Sequence, residues 1–141
     1  MAERVLSIQS RPLGKEHIRI KDLIASDPEW AKAYEIFYQS RHRARQRNIE
    51  FDLDIDWLYE RVKKKCEVTG LTFELHHKTK SPLSASIDRI DNSKGYTKDN
   101  CRLVIWWFNS AKGSLTDLNT WHFCNLIVNS LSGKPALNVK N

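Results

Sequence analysis

At 141 residues the chain has the length of one domain, and its 40% apolar and 28% charged content is that of a globular protein, neither disordered nor fibrous. The formal charge of +6 favours a polyanionic partner, nucleic acid first and an anionic membrane surface second. No apolar run approaches the ~18 residues of a membrane span, and Met1-Ala2-Glu3-Arg4 leads into polar sequence with no signal-peptide pattern. Three cysteines without close pairs, Cys66, Cys101 and Cys124, point to a reducing, cytoplasmic compartment.

Residues 1–14 contain Pro12 and Gly14 and show little pattern, so an irregular arm is expected; Ile18, Ile20, Leu23 and Ile24 fit a short helix or an extended segment equally. Asp27-Pro28-Glu29 reads as a helix start, with a capping carboxylate, proline at the first helical position and an acid in the first turn. Trp30, Ala33, Tyr34 and Phe37 recur at helical spacing and are expected to face the core. Arg41, Arg43, Arg45 and Arg47 then make a basic end. At alternating positions they cannot share one helical face, and contact with phosphates is the reading adopted.

Asn48 to Leu53 should turn the chain into a second helix, capped by Asp54 or Asp56, bearing Trp57, Leu58 and Val62 and ending in Lys63, Lys64 and Lys65. Thr69-Gly70 makes a turn, and Leu71 to Leu75 alternates as a short strand. His76-His77 follows, then a polar loop around Pro82.

The stretch from Ser86 to Lys112 organises the rest. Alternation ends on Asp88, a turn rich in Asn, Ser, Lys and Gly follows, and a continuous apolar run from Leu103 to Phe108 closes on Asn109 and Lys112. Two antiparallel strands and a helix over 84–113 bring Asp88 and Asn109, both hard oxygen donors, toward one point, and such donors suit Mg²⁺ or Mn²⁺. Gly113-Ser114 breaks that helix and Thr116 caps another. Its apolar stripe of Leu118, Trp121, Cys124, Ile127, Val128 and Leu131 is expected to pack over the core, before Ser132-Gly133 and a frayed tail.

The set Asp88-Arg89-Ile90, Asn100, Asn109 and Lys112 resembles the HNH nuclease signature: Asp-His-Ile, a central Asn, then His or Asn with Lys three later. Cys66-Glu67-Val68-Thr69-Gly70 resembles the turn that opens the same domain, without its second Cys. Followed by Ser-x-Asp-Arg-Ile-Asp and Gly-Tyr-Thr-x-x-Asn, that turn is similar to those of HNH-like proteins common in phages and mobile elements, and the resemblance covers residues 66–113.

The resemblance implies an α+β fold, a ββα-metal core with flanking α-helices. Three parts are expected: a helical region with a basic DNA-binding segment over 1–65, the nuclease core over 66–115, and a packing helix with its tail over 116–141. It implies a metal-dependent DNA endonuclease whose single site cuts one strand at a time, with Asp88 and Asn109 as metal ligands and Asn100 pinning the loop between the strands. Arg89 stands where the family has its general-base His, and a guanidinium stays protonated, so it would contact the scissile phosphate instead. His76 or His77, the only histidines in the region, would supply the base, and Lys112 would hold a neighbouring phosphate. A structural Zn²⁺ is not expected, since no Cys-x-x-Cys is present. A non-catalytic DNA-binding protein on the same scaffold is the alternative.

Overall fold

The computed structural model describes residues 22, 25–75 and 81–133. His76 and His77, the N-terminal arm and the C-terminal tail lie outside the described residues.

Helix α1 spans Pro28–Arg47. Asp27 caps it, its Oδ1 accepting from the Trp30 amide at 2.9 Å, and Asn48 ends it in the left-handed conformation (φ 51°). Helix α2 spans Ile55–Val62 and is capped by Asp54, not Asp56, through the Trp57 amide at 2.7 Å. The face of α1 that meets the core is Ala33, Ile36, Ser40 and Ala44. Trp30 and Tyr34, expected inside, are half-buried and stack on one another with ring centroids 5.2 Å apart. Small residues on the inner face let α1 and α2 approach closely, and this rotates the larger rings outward.

Strand β1, Ala85–Arg89, pairs antiparallel with β2, Cys101–Ile105, in a register that sets Asp88 opposite Arg102 and Ile87 opposite Leu103. Helix α3, Trp106–Lys112, follows β2 directly. Half of the expected apolar strand therefore belongs to the helix, whose first amides are satisfied by the chain leading into β1: Trp106 N–H donates to Ser84 O at 2.7 Å and Trp107 N–H to Pro82 O at 3.0 Å. The architecture is mixed α+β, a β-hairpin followed by a helix with further helices before and after it. Leu71 to Leu75 makes only isolated bridges, Thr72 with Lys65 and Glu74 with Ser84, while Phe73 reaches the core.

One core joins these parts. Ala33 and Ile36 of α1, Leu58 and Val62 of α2, Ile87 and Leu103 of the hairpin and Phe108 of α3 all belong to it. The link between α1 and α2 lies against the loop of the hairpin: Tyr96 N–H donates to Glu50 O at 2.9 Å and Asp52 N–H to Tyr96 O at 3.1 Å. Gly95 is required at this crossing, because a Cβ there would stand 2.3 Å from Glu50 O.

The C-terminal helix departs from expectation. Helix α4, Asp117–Leu131, is capped by Thr116 as its sequence reads, but Thr120 is its one buried residue. Leu118, Trp121, Phe123, Ile127, Val128 and Leu131 are exposed by 50 to 85%. Its described anchors are polar and sit at its N-terminal end: Asp117 holds Arg102 at 2.5 and 2.8 Å, and Asn92 Nδ2 donates to Gly113 O at 3.2 Å. The stripe expected over the core faces outward.

Candidate active site

Alternation along β1 divides the motif between two sides of the hairpin. Ser86 and Asp88 share a face with Arg102 and meet α3, while Arg89 leaves the other way.

Asp88 is 2% exposed and bound on both oxygens. Oδ1 accepts from Lys112 Nζ at 3.0 Å, and Oδ2 accepts from Arg102 Nε at 2.9 Å with Nη2 also at 2.9 Å. Lys112 is itself buried and gives a second hydrogen bond, 2.8 Å, to the carbonyl of Arg89. A contact between Lys112 and a DNA phosphate, expected from the motif, has no surface to act on. The burial cost of that ammonium is met by Asp88 and a carbonyl, so its work is internal.

Arg102 is shared. The fork that grips Asp88 also reaches Asp117 at the start of α4, through Nη1 at 2.8 Å and Nη2 at 2.5 Å. Burial works against the guanidinium's charge, yet the hydrogen bonds to Asp117 and Asp88 outweigh it and raise its pKa; Arg102 in turn holds the Asp117 carboxyl below the usual carboxylate range. Arg102 and Asp117 were not picked out by the motif, and Ser86, its first residue, carried no assigned role. The hairpin register was the signal that could have found Arg102, since it fixes the residue opposite Asp88.

Asn109 lies one turn before Lys112 on α3. Its Nδ2 donates to Ser86 Oγ at 2.7 Å and to Ile87 O at 3.0 Å, which fixes the amide against β1 and leaves the side-chain carbonyl oxygen as the end able to meet a cation. Asn100 is buried and closes the loop on itself. Its Oδ1 accepts from the Asp91 amide at 3.0 Å, and its Nδ2 donates to Asp91 O at 3.0 Å and Gly95 O at 2.9 Å. Asn100 thus shapes the loop and does not enter the Asp88 cluster.

Arg89 Nη1 donates to Lys94 O at 2.7 Å, and its guanidinium lies over the Tyr96 ring, 5.1 Å from the centroid. A row of rings continues from there: Tyr96 to Phe51 at 6.5 Å, Phe51 to Phe37 at 5.6 Å, and Arg41 over Phe37 at 5.8 Å. The strand-end arginine and the first arginine of the basic helix end thus terminate one line of packed aromatic side chains. Arg43, Arg45 and Arg47 are exposed beyond it, and no described carboxylate lies within ion-pair distance of them.

The donors of a hard divalent cation are present as residue types: a carboxylate at 88 and an oriented amide carbonyl at 109. Asp88 retains only part of its acceptor capacity, since three N–H contacts occupy an oxygen pair with roughly four lone-pair directions. A cation entering here would share Asp88 with two cationic side chains and keep several waters. Among the described residues no group of three or more His, Cys, Asp or Glu side chains is placed to hold a metal. Cys66 and Cys101 are both buried. Burial raises the Cys66 thiol, but hydrogen bonds from Thr69, Val68 and Ile105 outweigh it and lower its pKa, whereas burial pushes Cys101 up to about 12.

No helix among the described residues is long and apolar enough to cross a membrane. No protein-family model matches the chain, and comparison with curated proteins finds no match. Among solved structures, the chain is similar to the rare-cutting HNH restriction endonuclease PacI, with a TM-score of 0.52 and 14% identity over 72% of this chain and 80% of that one. The similarity is one of fold: the hairpin-and-helix core of this chain has the architecture of an HNH endonuclease.

Proposed function

We propose that the chain is a metal-dependent endonuclease that binds DNA and hydrolyses its phosphodiester bonds, one strand at each site. The observation that supports this reading is that α3 is tied to β1 at both candidate ligands, Asn109 through Ser86 and Ile87 and Asp88 through Lys112, on a fold shared with a DNA-cutting enzyme. Asp88 and the carbonyl oxygen of Asn109 would hold Mg²⁺ or Mn²⁺, which when bound supplies charge to the leaving oxygen. Asn100 keeps the loop in shape. Arg89, at the strand end, would neutralise charge on the scissile phosphate, and its hold on Lys94 O and Tyr96 fixes where that charge sits. His76 or His77 would take the proton from water. Arg41, Arg43, Arg45 and Arg47 would follow the phosphate backbone without reading sequence.

The test is conversion of supercoiled plasmid to nicked circles with Mg²⁺, with Mn²⁺ or with EDTA, by wild type and by Asp88→Asn. Metal-dependent nicking lost in Asp88→Asn supports the reading; equal nicking by the variant refutes the ligand assignment. Arg89→His is expected to lower the rate, because a phosphate contact is removed; a raised rate would mean that Arg89 merely replaced a base. His76→Ala and His77→Ala separate the two histidines, the base costing on the order of 10²–10⁴ in rate.

A second reading has its own observation. Arg89 cannot accept a proton, and both oxygens of Asp88 already hold cations, which fits a DNA-binding protein that has given up catalysis on this scaffold. Binding without cleavage under any divalent ion would decide for it.

A further inference from the structure

Helix α4 carries more apolar surface than the described residues cover. Leu118, Trp121 and Val128 make one row along it; Phe123, Ile127 and Leu131, four apart, make a second, with half-buried Cys124 between the rows. At roughly 150–250 Å² for a large side chain, these six exposed residues present on the order of 600 Å² of apolar surface. That is at the upper end of what a monomer ordinarily shows, about 300–600 Å². A standard interface buries about 800 Å² per partner, roughly 65% of it apolar when the partners are identical. The face supplies what one half of such an interface needs.

Charge selects the occupant. The chain is +6, yet α4 contains no Lys or Arg, and Asp117, its single acid, is already bound to Arg102. An amphipathic helix for an anionic membrane carries basic residues on its polar face, and this one does not. For a second copy the same lack removes the repulsion that the rest of the surface would impose.

We infer that the apolar face of α4 pairs with the same face of a second copy, the helices antiparallel and Cys124 close to the two-fold axis. Each α4 is attached to its body at the N-terminal end, so parallel pairing would press two basic bodies together. Antiparallel pairing puts them at opposite ends and opposes the helix dipoles. In a two-fold contact residue i meets j and j meets i, so the axis crosses the middle of the patch. Between Leu118 and Leu131 that middle is residues 124–125. This inference does not depend on the chain being a nuclease.

The experiment is sedimentation equilibrium of the full chain across concentration, with disulfide trapping by copper phenanthroline. Trapping removes a proton from each of two thiols and passes two electrons to the oxidant. Wild type is expected at twice 16.5 kDa in the tens of micromolar, and to give a reducible band of that mass. Ile127→Glu/Leu131→Glu is expected to be monomeric yet folded, with the wild-type far-UV circular dichroism spectrum and a melting midpoint that no longer rises with concentration, since both side chains are exposed in the single copy. Cys124→Ser should remain dimeric but lose the band; Cys66 and Cys101 are buried and should not replace it. A wild-type monomer at 100 µM, a dimer that survives the double Glu substitution, or a dimer that cannot be trapped at Cys124 would each overturn the arrangement.

Discussion

Lys112 and Arg102 inside the molecule, and Arg43, Arg45 and Arg47 at the end of α1, bear the same formal charge in opposite surroundings. The inner pair is committed: Asp88, the Arg89 carbonyl and Asp117 take its hydrogen bonds, and Lys112 has no exposed side-chain surface. The outer set stands in water with no described carboxylate beside it. The difference teaches that a cation beside a nuclease-like motif is not thereby a phosphate contact. Burial and existing partners decide, because a charge already neutralised at short range in low dielectric cannot be lent to a polymer outside.

The sharpest break in this comparison is Asp88→Ala. It leaves Lys112 buried without its carboxylate, and unfolding in urea should show a loss of about 3–5 kcal/mol. A loss below about 1 kcal/mol would mean that the inner cations do not need Asp88. Lys112→Met should cost less, because Arg102 still neutralises Asp88. The double variant Asp88→Asn/Lys112→Met should be milder than the sum of its parts, with a coupling of about 0.5–3 kcal/mol in a double-mutant cycle.

The outer set should behave in reverse. Arg43→Ala/Arg45→Ala should leave stability within about 0.5 kcal/mol. It should flatten the salt dependence of DNA binding by about 0.9 log units of slope per lost contact. An unchanged slope would make these arginines ordinary solvated surface.

The smallest effect concerns Arg102 and Asp117, where the two environments meet. The folded-state pKa of Asp117 is lowered by Arg102, so the pair stabilises the fold above the ordinary carboxylate value of about 3.9 and is lost as pH falls through the lowered one. Asp117 is half exposed, so Asp117→Asn should cost at most about 1 kcal/mol at neutral pH and nothing in strong acid, as followed by the urea midpoint against pH.

What could be read from the sequence was local. Asp27 and Thr116 cap their helices because a side-chain oxygen two or three residues ahead of free amides satisfies them wherever the helix goes. The loop tied by Asn100 is short enough for one amide to span. What could not be read depended on a partner distant in sequence. Asp88 meets Arg102 only through strand register, and Lys112 looks like any helix-end lysine until α3 is laid on β1. The stripe on α4 announces that some surface must cover it, but periodicity does not say which, and the expected core is not it. On α1 the large rings outweighed Ser40 and Ala44 in the reading, although small residues are what a close helix crossing requires.

The row Arg89, Tyr96, Phe51, Phe37, Arg41 has a consequence for how the chain would discriminate among polymers. Packed rings hold their length, and the hydrogen bonds of Glu50 and Asp52 to Tyr96 keep the row from sliding. Two guanidiniums at the ends of such a spacer act as calipers. Under the nuclease reading, both are satisfied only by a backbone whose phosphates recur across the groove at the matching interval, and that interval differs between B-form and A-form duplexes. Selection would then fall on the gauge of the helix, with base order left unread.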